Sequence, residues 1–179
     1  MGETPRCRDA EWTLSRPSHL TSTQRLTSQR LPRPLGVLCL DLGVPRKYFS
    51  LTEANRTLPL VKRVVADITA LHPKWRDLVY KYELAAAQAR PDWGESKEQL
   101  DLRAKIEAVA RQIQDYLLEL EQIGCVFKGF EQGLVDFYGK LDGREIFWCW
   151  KQGEDRIDHW HDLESGYAGR QPVPEVVRG

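Results

Sequence analysis

At 179 residues the chain has the length of one ordinary domain. Its 26 Lys and Arg balance its 26 Asp and Glu, and a formal charge of zero removes the electrostatic argument for a nucleic-acid partner. No apolar run approaches the roughly 18–20 residues that a membrane-spanning helix needs. The four cysteines, Cys7, Cys39, Cys125 and Cys149, form no C-x-x-C pair and follow no secretory leader, so a cytoplasmic protein with free thiols is expected.

Residues 1–45 are rich in Arg, Ser, Thr and Pro, hold no Lys and show no helical or strand periodicity. Such a segment buries too little apolar surface to offset its ordering entropy and is expected to be a disordered extension. Acidic Glu3, Asp9 and Glu11 fit a transit peptide badly. Because Met1 is the only methionine and the patterned sequence starts abruptly near Arg46, a translation start placed too far upstream would also produce this segment.

From Ser50 the pattern becomes helical. Ser50 and Glu53 match a capping box, and Pro59 suits the first turn of a helix that restarts there. Val61, Val64, Ile68, Leu71, Trp75, Leu78 and Tyr82 then alternate spacings of three and four, a heptad seam. A second row, Leu58, Val65, His72 and Val79, widens the stripe enough to touch a further neighbour. Pro73 predicts a kink. Arg90–Gly94 reads as a turn, Ser96 with Gln99 as a second capping box, and Leu102, Ile106, Val109, Ile113, Tyr116, Leu120 and Ile123 as the facing seam, stopped by Gly124. Residues 50–124 thus predict an antiparallel hairpin with arms of roughly 40 Å. Trp75, Tyr82 and Tyr116 fall on the seam and are expected in the core. An uncovered side of so long a hairpin predicts a homodimer through it.

Residues 125–165 change to a period of two. Strands are expected over 126–130, 134–138, 145–151 and 156–163, with Asp142-Gly143 as a hairpin turn. Phe147 and Cys149 should face one way and Trp148 and Trp150 the other, toward the helices. The fold class is therefore α+β: a helical hairpin followed by an antiparallel sheet of about four strands. The domain should span residues 46–173, with a flexible tail at 174–179.

The motifs Lys47-Tyr48-Phe49, Thr52-Glu53-Ala54-Asn55, Leu58-Pro59, Gly133-Leu134-Val135-Asp136-Phe137, Cys149-Trp150, Gly153-Glu154, Trp160-His161 and Gly166-Tyr167-Ala168-Gly169-Arg170 together resemble the bacterial family called domain of unknown function 2203. The resemblance covers residues 46–173, leaves the N-terminal extension outside, and implies no activity or cofactor.

Residues 133–170 concentrate three of the six tryptophans and two of the four histidines with a row of carboxylates. His159 and His161 form an H-x-H pair whose imidazoles leave one strand face about 6–7 Å apart at the alpha carbons, a spacing that allows two ligands to one metal ion. Asp136, Glu145 or Glu164 could add a carboxylate, although spacing selects none of them. Asp136, Glu154, Trp160, His161 and Arg170 form a second candidate, a polar pocket for a small anion, with Trp160 beside its polar groups. Against that pocket stands an ion pair between Arg170 and Glu154 that pins the last loop to the sheet. Cys149, between two tryptophans, is expected to be a buried thiol without chemistry. No nucleotide-binding or hydrolase motif is present. The expected role is a binding or interaction module; a metal- or anion-dependent enzyme using Asp136, His159, His161 and Arg170 is the alternative.

Overall fold

A computed structural model describes residues 46–88 and 94–178. The N-terminal extension and the centre of the hairpin turn lie outside the described residues, as do the expectations made for them.

Helix α1 runs without a break from Leu51 to Gln88. Its start is the expected capping box: the Ser50 amide donates to Glu53 Oε2 (2.8 Å), and the Glu53 amide donates to Ser50 Oγ (3.2 Å). Pro59 does not restart a helix; it sits inside α1, as does Pro73. Each proline removes one amide donor, and α1 stays continuous because packing along its length outweighs the loss. Near Pro73 the Thr69 hydroxyl donates to the Val65 carbonyl (2.9 Å). With no restart at Pro59, α1 is about 57 Å long rather than 40 Å. Helix α2, Lys97–Ile123, begins at the Ser96–Gln99 box and ends on Gly124, whose φ of 101° only glycine adopts without strain.

The two seams meet as their spacing requires. Val61, Val64, Ile68, Trp75 and Tyr82 of α1 share one core with Ile106, Val109, Ile113 and Leu120 of α2. The second row of α1 is buried too, at Leu58, Val65 and Val79, with Val65 lying against Gly133 just before β2.

Among the described residues the sheet has five antiparallel strands in chain order: β1 Cys125–Gly129, β2 Leu134–Leu141, β3 Arg144–Lys151, β4 His159–Asp162 and β5 Gln171–Pro172. The β2–β3 turn uses Asp142 and Gly143, both at positive φ. The chain continues past the expected last strand. β5 pairs with β4, Val173 is buried, and a turn of helix, α3 Glu175–Arg178, packs Val177 on the core, so part of the expected flexible tail is ordered structure.

Val135, Phe137, Ile146, Trp148, Trp150 and Trp160 lie on the face turned toward α1 and join the hairpin core. Side chains tie the two layers together: Asn55 Oδ1 accepts from the Ile157 amide (2.8 Å), and Lys62 Nζ donates to the Asp155 carbonyl (2.7 Å). Trp148 Nε1 donates to the Phe49 carbonyl (2.9 Å), and its ring lies so close to Gly139 that a Cβ there would fall 2.2 Å from Nε1.

Candidate functional site

The opposite face of the sheet carries the chemistry. Register places Asp136 of β2 across from Cys149 of β3, which in turn lies across from His159 of β4; one step along, Tyr138, Phe147 and His161 form the next row. Pleating sends both rows to the side away from α1. Asp136 and His161 are each 2% exposed and Cys149 is 1% exposed.

His161 Nε2 lies 3.2 Å from Asp136 Oδ1, and its Nδ1 lies 2.8 Å from the Asp162 carbonyl. A carbonyl oxygen only accepts, so Nδ1 carries a proton and Nε2 is the atom offered to Asp136. Burial pulls the His161 pKa down, but the hydrogen bond and charge of Asp136 outweigh it, and the net direction is upward. One ligand atom each from Asp136, Cys149 and His161 all lie within 4.8 Å of one another. Burial first, then the neighbouring Asp136 carboxylate, push the Cys149 thiol far above the ordinary thiol range. This matches the expected inert thiol and also shows how near the sulfur lies to the acid.

Beside this group the Arg170–Glu154 ion pair is formed: one terminal nitrogen of Arg170 reaches both Glu154 oxygens at 2.8 Å and the Cys149 carbonyl at 3.3 Å. Glu154 also accepts from the Lys151 amide (2.9 Å), and its carbonyl accepts from Trp150 Nε1 (2.9 Å). The arginine thereby fastens the loop that carries the Tyr167–Gly169 turn to β3. Two buried nitrogens here, His159 Nδ1 and Arg170 Nε, have no hydrogen-bond partner.

The five candidate pocket residues thus divide. Asp136 and His161 meet directly, Glu154 and Arg170 meet directly, and Arg170 also bonds the Cys149 backbone. Trp160 is elsewhere: it lies opposite Trp148 on the helix-facing side, inside the core, because it alternates with His159 and His161 along β4. Glu154 lines a shallow cleft of about 280 Å³ with Lys62, Trp150, Gln152, Gly153 and Asp155, and none of the other four candidates lines it. The H-x-H pair does share one face, but His159 is not among the three clustered ligand atoms. Of the carboxylates considered for a metal, Asp136 joins His161. Glu145 instead bonds Tyr48 and pairs with Arg46 at 3.8 Å, and Glu164 is exposed. Cys149 is the site residue the motif search passed over. The signal was present in the alternation of β3, which puts Cys149 on the side away from the tryptophans beside it.

The family model described as uncharacterized conserved protein (DUF2203) matches residues 47–173. The chain belongs to this family. The match ends just after β5, short of α3. No curated protein and no solved structure matches this member of the family. Among its described residues no helix is long and apolar enough to cross a membrane.

Proposed function

We propose that this chain is a binding module whose site is the buried polar cluster on the outer face of the sheet, held rigid by the hairpin behind it. One observation carries the reading: Asp136 and His161 are paired at 3.2 Å while each is 2% exposed, in a small domain. Removing two ionisable groups from water costs several kcal/mol, and apolar residues of similar size would serve folding at least as well. Burial of acid, imidazole and thiol together is the mark of a site rather than of a scaffold.

The cluster favours a cationic ligand over the small anion considered from the sequence. Glu154 already neutralises Arg170, so an anion would first have to displace a side chain, whereas a metal cation would displace only protons, the one shared by His161 and Asp136 and the one on Cys149. The buried free thiols of Cys125 and Cys149 suit the reducing cytoplasm proposed as its location. A thermal-shift screen across divalent cations, phosphates and carboxylates tests the reading. At least one class should raise the melting temperature of the native chain and leave that of Asp136→Asn unchanged; no response from any class overturns it.

Self-association through the hairpin is the other part of the reading. Its support is the exposure of Tyr80, Leu84 and Leu100 near the turn end, with Leu60 and Leu118 further along. Size-exclusion chromatography with light scattering should return twice the chain mass, and a monomer at high concentration would count against it.

A further inference from the structure

We propose that Asp136, Cys149 and His161 form a binding site for a divalent d-block cation of the zinc class, with one carboxylate oxygen, one thiolate sulfur and one imidazole nitrogen as ligands. The proposal rests on the binding reading above and names its ligand.

Three features of the geometry point to a metal. The first is the donor set. Zinc takes thiolate, imidazole and carboxylate together, and three protein ligands leave the fourth tetrahedral position for water or another group. The ligand atoms lie within 4.8 Å of one another, near enough for one ion to gather all three with a small movement of the side chains. In a tetrahedral zinc site an imidazole nitrogen and a carboxylate oxygen sit about 3.3 Å apart, from metal–ligand bonds of roughly 2.0–2.2 Å. His161 Nε2 and Asp136 Oδ1 are 3.2 Å apart.

The second is the orientation of His161. Its Nδ1–H donates to the Asp162 carbonyl at 2.8 Å, which leaves Nε2, the atom facing Asp136, as the ring nitrogen that can offer a lone pair once its proton is displaced. Ligating histidines characteristically hold the second ring nitrogen in this way, because the bond fixes both tautomer and ring angle. With Nδ1 so committed, the Nε2 lone pair and a carboxylate oxygen face each other. Two lone pairs at that distance repel unless a cation sits between them. A proton serves in the metal-free chain, and a metal ion serves better because it also takes the sulfur.

The third is access. Each of the three residues is at most 2% exposed, so an organic ligand would need the sheet face to open widely, whereas a single ion needs the smallest opening of any ligand. Binding is written as an exchange: the ion enters, the Cys149 thiol proton and the proton between His161 and Asp136 leave, and no electron is transferred. The same step converts Cys149 from a buried thiol into a ligand. His159, first considered as a ligand, shares the row of Cys149 but lies outside the three.

The test uses the full chain, without a histidine tag and under a reductant that does not bind metal. Zinc is measured in the purified protein by mass spectrometry, and cobalt(II) is titrated into the stripped protein. The expected result is one ion per chain, a thiolate-to-cobalt charge-transfer band and the visible bands of tetrahedral cobalt. Cys149→Ser should lose the charge-transfer band and bind at least tenfold more weakly while keeping the native far-UV circular dichroism. If Cys149→Ser does not fold, the cobalt spectrum of the native chain decides alone. A native chain that binds no stoichiometric zinc or cobalt, or that binds cobalt without the thiolate band, overturns the proposal. In that case a phosphate or carboxylate that stabilises the native chain but not Asp136→Asn would leave the binding reading standing. Silence from every ligand class would remove both.

Discussion

Along the hairpin, Val61, Val64, Ile68 and Trp75 of α1 meet Ile106, Val109 and Ile113 of α2, and the buried surface is a repeat of apolar side chains. On the outer face of the sheet, Asp136, Cys149 and His161 are buried as completely, but Asp136 and His161 bond each other atom to atom with Cys149 beside them. The difference lies in how the two regions fail. A seam spreads its stabilisation over many non-directional contacts, so its neighbours can repack around a change. A buried polar cluster concentrates its stabilisation in a few directional contacts, and losing one partner leaves the other desolvated and unpaired.

The most damaging change should strike where the two layers join. Gly139→Val would drive a side chain into the Trp148 ring, with the first added carbon 2.2 Å from Nε1, and α1 behind that ring leaves it no room to move. Loss of the cooperative thermal transition is expected, whereas Ile113→Ala in the seam should cost about 2–5 kcal/mol and keep it. Chemical denaturation of both variants checks the ranking.

Asp136→Ala in the metal-free chain should cost about 3–5 kcal/mol, because His161 loses its partner in a dry site. Replacing both residues, Asp136→Leu with His161→Phe, should recover most of that loss. A double variant as unstable as the single one would show that the cluster is structurally required, and would weaken the contrast with the seam.

Arg170→Ala should cost about 1.5–3 kcal/mol, the range for hydrogen bonds to charged groups, since the side chain is 10% exposed and its bonds hold the last loop. Proteolysis near Tyr167 should become faster.

A smaller effect separates the two regions by pH. His72 of α1 stacks on Phe130 at a ring distance of 4.5 Å, and burial, aided by Arg76, holds its pKa below the ordinary 6.5. The unfolded chain therefore binds the proton more readily than the folded one. Stability attributable to His72 is full above pH 6.5 and is lost as pH falls below that value toward the folded pKa. His72→Phe should flatten the pH dependence of the melting temperature in that window, and an unchanged slope would assign it to other groups.

The smallest effect on stability should come from the exposed turn end. Leu84→Glu with Leu100→Glu should change monomer stability by no more than about 0.5 kcal/mol per site, while removing the dimer if the hairpin is its interface. Light scattering at matched concentrations reads that outcome directly.

The hairpin was legible because a helix interface is written in near neighbours. Spacings of three and four place Val61 through Tyr82 on one stripe, and the boxes at Ser50 and Ser96 and the stop at Gly124 are local hydrogen-bond patterns. The alternation of β3 was legible for the same reason, and with it the inward direction of Trp148 and Trp150. Where a reading stretched a local rule too far, it failed. The strand expected over 156–163 begins only at His159. Ile157 instead gives its amide to Asn55 and joins the helix-side core. Trp160, expected beside the polar groups, lies opposite Trp148 in the helix-side core, because adjacent strand residues point to opposite faces.

Sequence alone therefore determined the two helices and the first strands, the helix caps, the inward rows of α1, α2 and β3, and the family, because all of these follow from periodicity, local hydrogen bonds and motif. The tertiary structure decided which distant residues share a site. Asp136 and His161 are brought together only by the register of β2 on β3 and of β3 on β4, which places Cys149 beside them as well. That register is set by burying three tryptophans against α1, a packing requirement with no trace in the spacing of the polar residues themselves.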